Sequence, residues 1–192
     1  MTVRKRFMRG FTLVELMIAV AIVGVLAVLA VFGARKYVAG AKTAEARNSL
    51  GQIGKDAVSA FEGERMSAAV LPEGSGTDVV RSMCQTGAAS VGVPATIASI
   101  GGKKYQSTKL DWSPLIDVQN NQGWPCLKFE ITAPQYYRYQ YFANGTSDGS
   151  FTATAQGDLN GDAVYSTFEI KGATENGRLK LAPSIGETSP EE

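Results

Sequence analysis

The chain has 192 residues, 19 basic and 18 acidic side chains and no histidine, a length that suits one ordinary domain plus a long helix. A formal net charge of +1 excludes the broad basic surface of a nucleic-acid binder. The missing imidazole removes the side chain most used for acid–base catalysis and the commonest metal ligand, and with no nucleophile elbow and no phosphate-binding glycine loop the sequence points away from an enzyme.

Charge is concentrated at the start. Arg4, Lys5, Arg6 and Arg9 lie in the first nine positions, and the remaining chain is slightly acidic. The leader ends in Gly10, and from Leu16 to Ala34 there is no charged residue. As a helix this run covers about 28 Å, close to the ~30 Å hydrocarbon core of a bilayer. The basic cluster before it places residues 1–10 in the cytoplasm and the C-terminal bulk outside. An ordinary secretory signal has a shorter apolar stretch and a small-x-small cleavage site; here the apolar run continues into more helix. Glu15 stands at its mouth, and a lone carboxylate in lipid costs on the order of 2.5–3.5 kcal/mol, so it is either interfacial or paired.

The string Gly10-Phe11-Thr12-Leu13-Val14-Glu15-Leu16 resembles the N-terminal signature of type IV pilins and of the pseudopilins of type II secretion. The resemblance covers residues 1 to about 60. It implies that a prepilin peptidase cuts between Gly10 and Phe11 and that the new amine of Phe11 is methylated. It further implies that Glu15 pairs with the Phe11 amine of a neighbouring copy in a filament. Implied partners are copies of the chain, the peptidase, the membrane, and an inner-membrane assembly platform with its ATPase. The implied location is a single inner-membrane pass before assembly and a surface pilus or periplasm-spanning filament after it.

Downstream, Ala39, Ala46, Leu50, Ile53, Ala57, Ala60 and Phe61 fall on one stripe at helical spacing, with Lys42, Glu45, Arg47, Lys55 and Glu62 mostly off it. The spacing predicts one helix from about Phe11 to about Arg65, roughly 80 Å long. Its segments are a leader (1–10), a filament-core half (11–34) and an amphipathic half (35–65). Many pilins carry proline where this chain has Phe32. Gly24 and Gly33 bracket that stretch, either as a place where the helix loosens or as close-packing positions between helices.

Residues 66–192 form a head. Frequent Gly, Pro, Ser and Thr mark 66–110 as an irregular connecting region with one short helix near Thr77–Cys84. Strands are predicted at Leu127–Ala133, Tyr136–Ala143, Ser150–Ala155 and Tyr165–Lys171, forming an antiparallel sheet covered by the second half of the helix. The class is therefore α+β, the pilin fold. The aromatic run Tyr136–Phe142 reads as a strand rather than as an electron path or sugar-binding face. Cys84 and Cys126 are the only cysteines; in an exported chain they form one disulfide, in a cytosolic one two thiols. Asp158, Asn160, Asp162, Ser166 and Glu169 fall at positions one, three, five, nine and twelve of an EF-hand-type loop. Ala163 stands where such a loop has glycine, so the segment reads either as a calcium site, the sole cofactor in view, or as a turn rich in Asp and Asn. The polar tail beyond Leu181 reads as mobile or laid on the surface.

Three functions follow. The first is a structural filament subunit for motility, adhesion or uptake. The second is a pseudopilin or minor pilin, which shares the motif. The third is a membrane-anchored protein that never polymerises.

Overall fold

The computed structural model describes residues 10–63, 65–66, 73–74, 76 and 79–190. The leader residues 1–9, and Thr77 and Asp78 of the expected short helix, lie outside them. Two compact units divide between Val38 and Ala39. Helix α1 spans Leu13–Glu62 and contributes to both.

In the first unit every residue from Gly10 to Val38 is exposed. The helix here is apolar on all sides, so it has no face of its own to bury. It runs unbroken through Gly24 and Gly33.

In the second unit α1 becomes one-sided. Thr43, Ala46, Leu50, Ile53, Gly54, Ala57 and Phe61 are buried, mostly three or four apart as an amphipathic helix requires. The helix stops at Glu62, three residues before the expected end, where Gly63 closes the last turn by donating to the Ser59 carbonyl at 3.0 Å.

A five-stranded antiparallel sheet provides the opposing surface: β3 (Tyr137–Asn144), β4 (Ser150–Gly157), β5 (Ser166–Glu175) and β6 (Arg178–Leu181) in that order, with β7 (Gly186–Thr188) also paired to β5. The two-stranded β1 (Arg65–Met66) and β2 (Val79–Val80) form a separate small sheet. Large and small residues alternate across the buried face of the main sheet. Tyr137, Tyr139 and Tyr141 of β3 stand opposite Gly157, Ala155 and Ala153 of β4. Phe151 of β4 stands opposite Gly172 of β5. A methyl group at Gly172 would collide with the Phe151 ring. At Gly54 an added Cβ would meet Ile170 at 3.0 Å and Leu181 at 3.2 Å, so the glycine lets the helix settle onto the sheet.

Below β3 lies an aromatic core. Trp112 sits edge-on to Trp124 at 5.2 Å and to Phe129 at 5.5 Å, and Tyr141 lies 5.4 Å from Phe151. Such offset and T-shaped pairs contribute about 0.5–1.5 kcal/mol each beyond burial. Three short helices that the sequence did not suggest lie here, α2 (Lys109–Trp112), α3 (Leu115–Asn120) and α4 (Gly123–Leu127), with Trp112 on α2 and Trp124 on α4. Asp117 of α3 is fully buried and accepts from the backbone amides of Ala88 and Ala89 at 2.7 and 2.9 Å, tying α3 to the connecting region.

Two expected elements are corrected. The strand Leu127–Ala133 does not form: Leu127 closes α4, and Lys128 turns the chain in a left-handed conformation (φ 60°). Beyond it, side chains take the carbonyls a neighbouring strand would have used. Ser107 donates to Ile131 O at 2.8 Å and Gln106 to Thr132 O at 2.9 Å. The helix near Thr77–Cys84 is also absent from its described part, which holds β2 and then extended chain. The tail beyond Leu181 is laid on the surface as β7, and Glu187 receives a bidentate pair from Arg47 of α1 at 2.7 and 2.9 Å.

Cys84 and Cys126 form a disulfide with Cα atoms 5.8 Å apart. Cys126 lies in α4, not at the start of a strand, so the bond fastens the connecting region to a helix beside the aromatic core. Glu45 supplies a polar link between helix and sheet. Its carboxylate accepts from the Tyr136 amide at 2.9 Å and the Tyr139 hydroxyl at 3.2 Å. Burial raises its pKa above the ordinary 4.5, against the opposing effect of these hydrogen bonds.

Replacing both cysteines by serine is expected to remove roughly 3–4 kcal/mol of stability, read as a lower denaturation midpoint that then ignores added reductant. For Glu45, a raised folded pKa means its contribution is complete below pH 4.5 and declines as pH rises through the folded value. Glu45→Gln keeps an acceptor and removes the titration. Its melting temperature relative to the parent should be constant in acid and should climb above pH 4.5; parallel profiles from pH 3 to 8 would refute the assignment.

Candidate functional site

The residues of the N-terminal signature meet at the start of α1. Gly10 and Phe11 precede the helix and are exposed, Phe11 at 81 %. Among the described residues no atom lies within 4 Å of the place a Cβ would take on Gly10. The junction between them is therefore open to an approaching enzyme.

Thr12 caps the helix. Its hydroxyl accepts from the Glu15 amide at 3.2 Å, while Glu15 Oε2 accepts from the Thr12 amide at 2.9 Å and the Thr12 hydroxyl at 2.7 Å. This is a capping box, in which side chains at the N-cap and third helical positions satisfy each other's amides. Thr12 and Glu15 both stand in the signature, and a Thr-x-x-Glu pattern before an apolar run is the sequence signal of such a cap. All of the carboxylate's bonds fall on Oε2; among the described residues none reaches Oε1.

Past Glu15 the helix presents only apolar side chains as far as Ala34. Among the described residues α1 is the one helix long and apolar enough to cross a membrane, with a mean hydropathy of 2.9 over its best window and none of that window buried. The combination is an anchor-like segment with a single carboxylate one turn inside its start.

The loop at Asp158–Val164 is arranged differently from the calcium reading. Asp158 is buried, with Oδ1 accepting from Gly161 N at 2.7 Å and Oδ2 from Ala163 N at 3.2 Å. Asn160 Oδ1 accepts from Asp162 N at 3.0 Å, and Asp162 Oδ1 from Val164 N at 2.8 Å. These are nested turns in which each side chain holds the backbone two to five residues on. Ala163 adopts φ 67° at the position where an EF-hand loop has glycine. Ser166 is buried and donates to Gly157 O at 3.2 Å, whereas Glu169 pairs with Lys171 at 2.5 Å. Being three apart on β5, Ser166 and Glu169 point to opposite faces of the sheet. Asp158, Asn160 and Asp162 thus share a loop, but the five residues do not converge and do not fit a calcium ion. Among the described residues no group of three or more acidic, His or Cys side chains is placed to hold a metal.

A family model described as the prokaryotic N-terminal methylation motif matches residues 5–31. This is the prepilin signature common to type IV pilins and pseudopilins. Neither the curated proteins nor the solved structures yield a match to the chain.

Proposed function

We propose that this chain, as a bearer of the prepilin signature, is the precursor of a type IV pilin-like filament subunit. It is inserted through residues 11–34, cut between Gly10 and Phe11, methylated on the new amine, and packed with copies of itself. The observation that carries the reading is the lone Glu15 at the head of an apolar helical segment exposed from its start to Val38, inside the matched motif.

The chemistry favours assembly. A carboxylate and an ammonium attract strongly where the dielectric is low, and either one alone is heavily penalised there. Thr12 satisfies one oxygen of Glu15 within the chain, which leaves Oε1 for the Phe11 amine of a neighbour. The amine exists only after cleavage, so the pair couples processing to packing. The apolar surface from Phe11 to Val38 then exchanges lipid for neighbouring helices, where small residues such as Gly24 and Gly33 permit close approach. The peptidase, the assembly platform and its ATPase are the partners this route requires. A pseudopilin would use the same amine, carboxylate and helix, so both belong to one proposal of a filament-forming subunit.

Because Gly10 has open space around it, Gly10→Val should leave the fold intact while blocking cleavage, seen as retention of the leader mass. Glu15→Ala should be cleaved and membrane-bound but give at least a tenfold lower yield of sheared filaments, an effect of about 1.4 kcal/mol or more. Filaments from Glu15→Ala at the parental yield would sink the pairing. Mass spectrometry of parental filaments should find subunits that begin at methylated Phe11.

A further inference from the structure

Two lysines from distant parts of the second unit converge on one ring. Lys42 Nζ of α1 lies 4.7 Å from the centroid of Tyr136, and Lys104 Nζ lies 4.8 Å from it. Each ammonium gains from the negative face of the ring, but two like charges gathered about one ring repel. Among the described residues neither lysine forms an ion pair within 4.0 Å. The nearby acid is Glu45, whose charge attracts Lys104. Its carboxylate is already engaged by the Tyr136 amide and the Tyr139 hydroxyl. Two positive charges therefore face one partly buried negative charge, and the cluster remains electropositive. Lys104 and its neighbour Lys103 are exposed.

The position of the cluster along the chain points to the anion it would take. Lys42 follows the last residue of the apolar run, Ala34, by eight positions of helix α1. Between Glu15 and Glu45 the chain holds Arg35, Lys36 and Lys42 and no acid at all. Basic side chains a turn or two beyond an apolar span reach back along it to the headgroup layer. Tyrosine is likewise enriched at that depth, with its ring among the headgroups.

We propose that Lys42, Lys104 and the Tyr136 ring bind the phosphate of an anionic phospholipid in the outer face of the membrane while the precursor awaits assembly. The ring holds the two ammoniums, and the phosphate supplies the charge that Glu45 leaves uncompensated. The inference rests on the reading that the chain first resides in a membrane through residues 11–34. On entry into a filament the lipid is given up, so the site acts on the precursor and not on the assembled subunit.

The test uses the full chain purified in detergent. Equimolar phosphatidylglycerol and phosphatidylcholine are added, and bound lipid is counted by native mass spectrometry. Phosphatidylglycerol adducts should predominate. The double variant Lys42→Gln with Lys104→Gln should lose that preference about fivefold per lysine, with phosphatidylcholine adducts unchanged. Lys42→Arg with Lys104→Arg should keep it, and an unchanged melting temperature in both variants would show an intact fold. Equal binding of the two lipids by the parent, or the same preference in the Gln variant, would overturn the site. Displacement of the lipid by millimolar inorganic phosphate would show a general anion site and would also overturn it. Carbonate extraction of the parent from membranes tests the separate premise of membrane residence; release of the chain there refutes that premise whatever the lipid counts show.

Discussion

The governing constraint is an apolar surface that the chain does not cover for itself. Every side chain from Phe11 to Val38 is exposed, and in water that area is penalised at roughly 25 cal/mol per Å². Among the described residues nothing in the first unit relieves it. The segment is suited to lipid or to the faces of other helices, and both of those surroundings penalise a free charge. Glu15 sits where this penalty acts, and the capping box with Thr12 is the part of the answer a single chain can supply. In the proposed filament the amine of a neighbouring copy supplies the rest.

The second unit solves a different problem, that of holding a helix against a sheet with few aliphatic residues. The sheet presents large rings on β3 and small residues on β4, so each tyrosine lies over a gap instead of a neighbour of equal size. Gly54 lets the helix approach β5 and β6. Two of the three buried tyrosine hydroxyls of β3 find partners in the same arrangement: Tyr139 donates to Glu45 and Tyr141 to the Cys84 carbonyl at 3.0 Å. Burial pushes the Tyr137 phenol up to about 12, so at physiological pH this core holds neutral rings. The disulfide and Asp117 then fix the connecting region, which has little apolar area of its own, onto the ring cluster.

The two units divide the labour of the proposed precursor. The first carries what a peptidase, a membrane and neighbouring copies would act on. The second offers the electropositive group at Lys42 and Lys104 and a tail strapped back to α1 by Arg47 and Glu187.

What could be read from the chain alone was whatever rests on short-range pattern. The prepilin signature, the uncharged run, the amphipathic stripe from Ala39 to Phe61 and three of the strands all express periods of a few residues. Even the capping box lay in plain view as Thr-x-x-Glu. The structure was needed wherever the partner lies far along the chain. Arg47 and Glu187 are 140 residues apart, and Glu45 and Tyr136 are 91 apart. Helices α2 to α4 are too short to show a period, and their place is set by rings and by Asp117 reaching across 28 or 29 residues. The loop at Asp158 makes the same point in reverse. Its spacing matched a metal loop, but strand alternation sent Ser166 and Glu169 to opposite faces, and backbone amides took the oxygens of Asp158. Local pattern sets which elements can form; which side chains meet is decided when the sheet and helix close on each other.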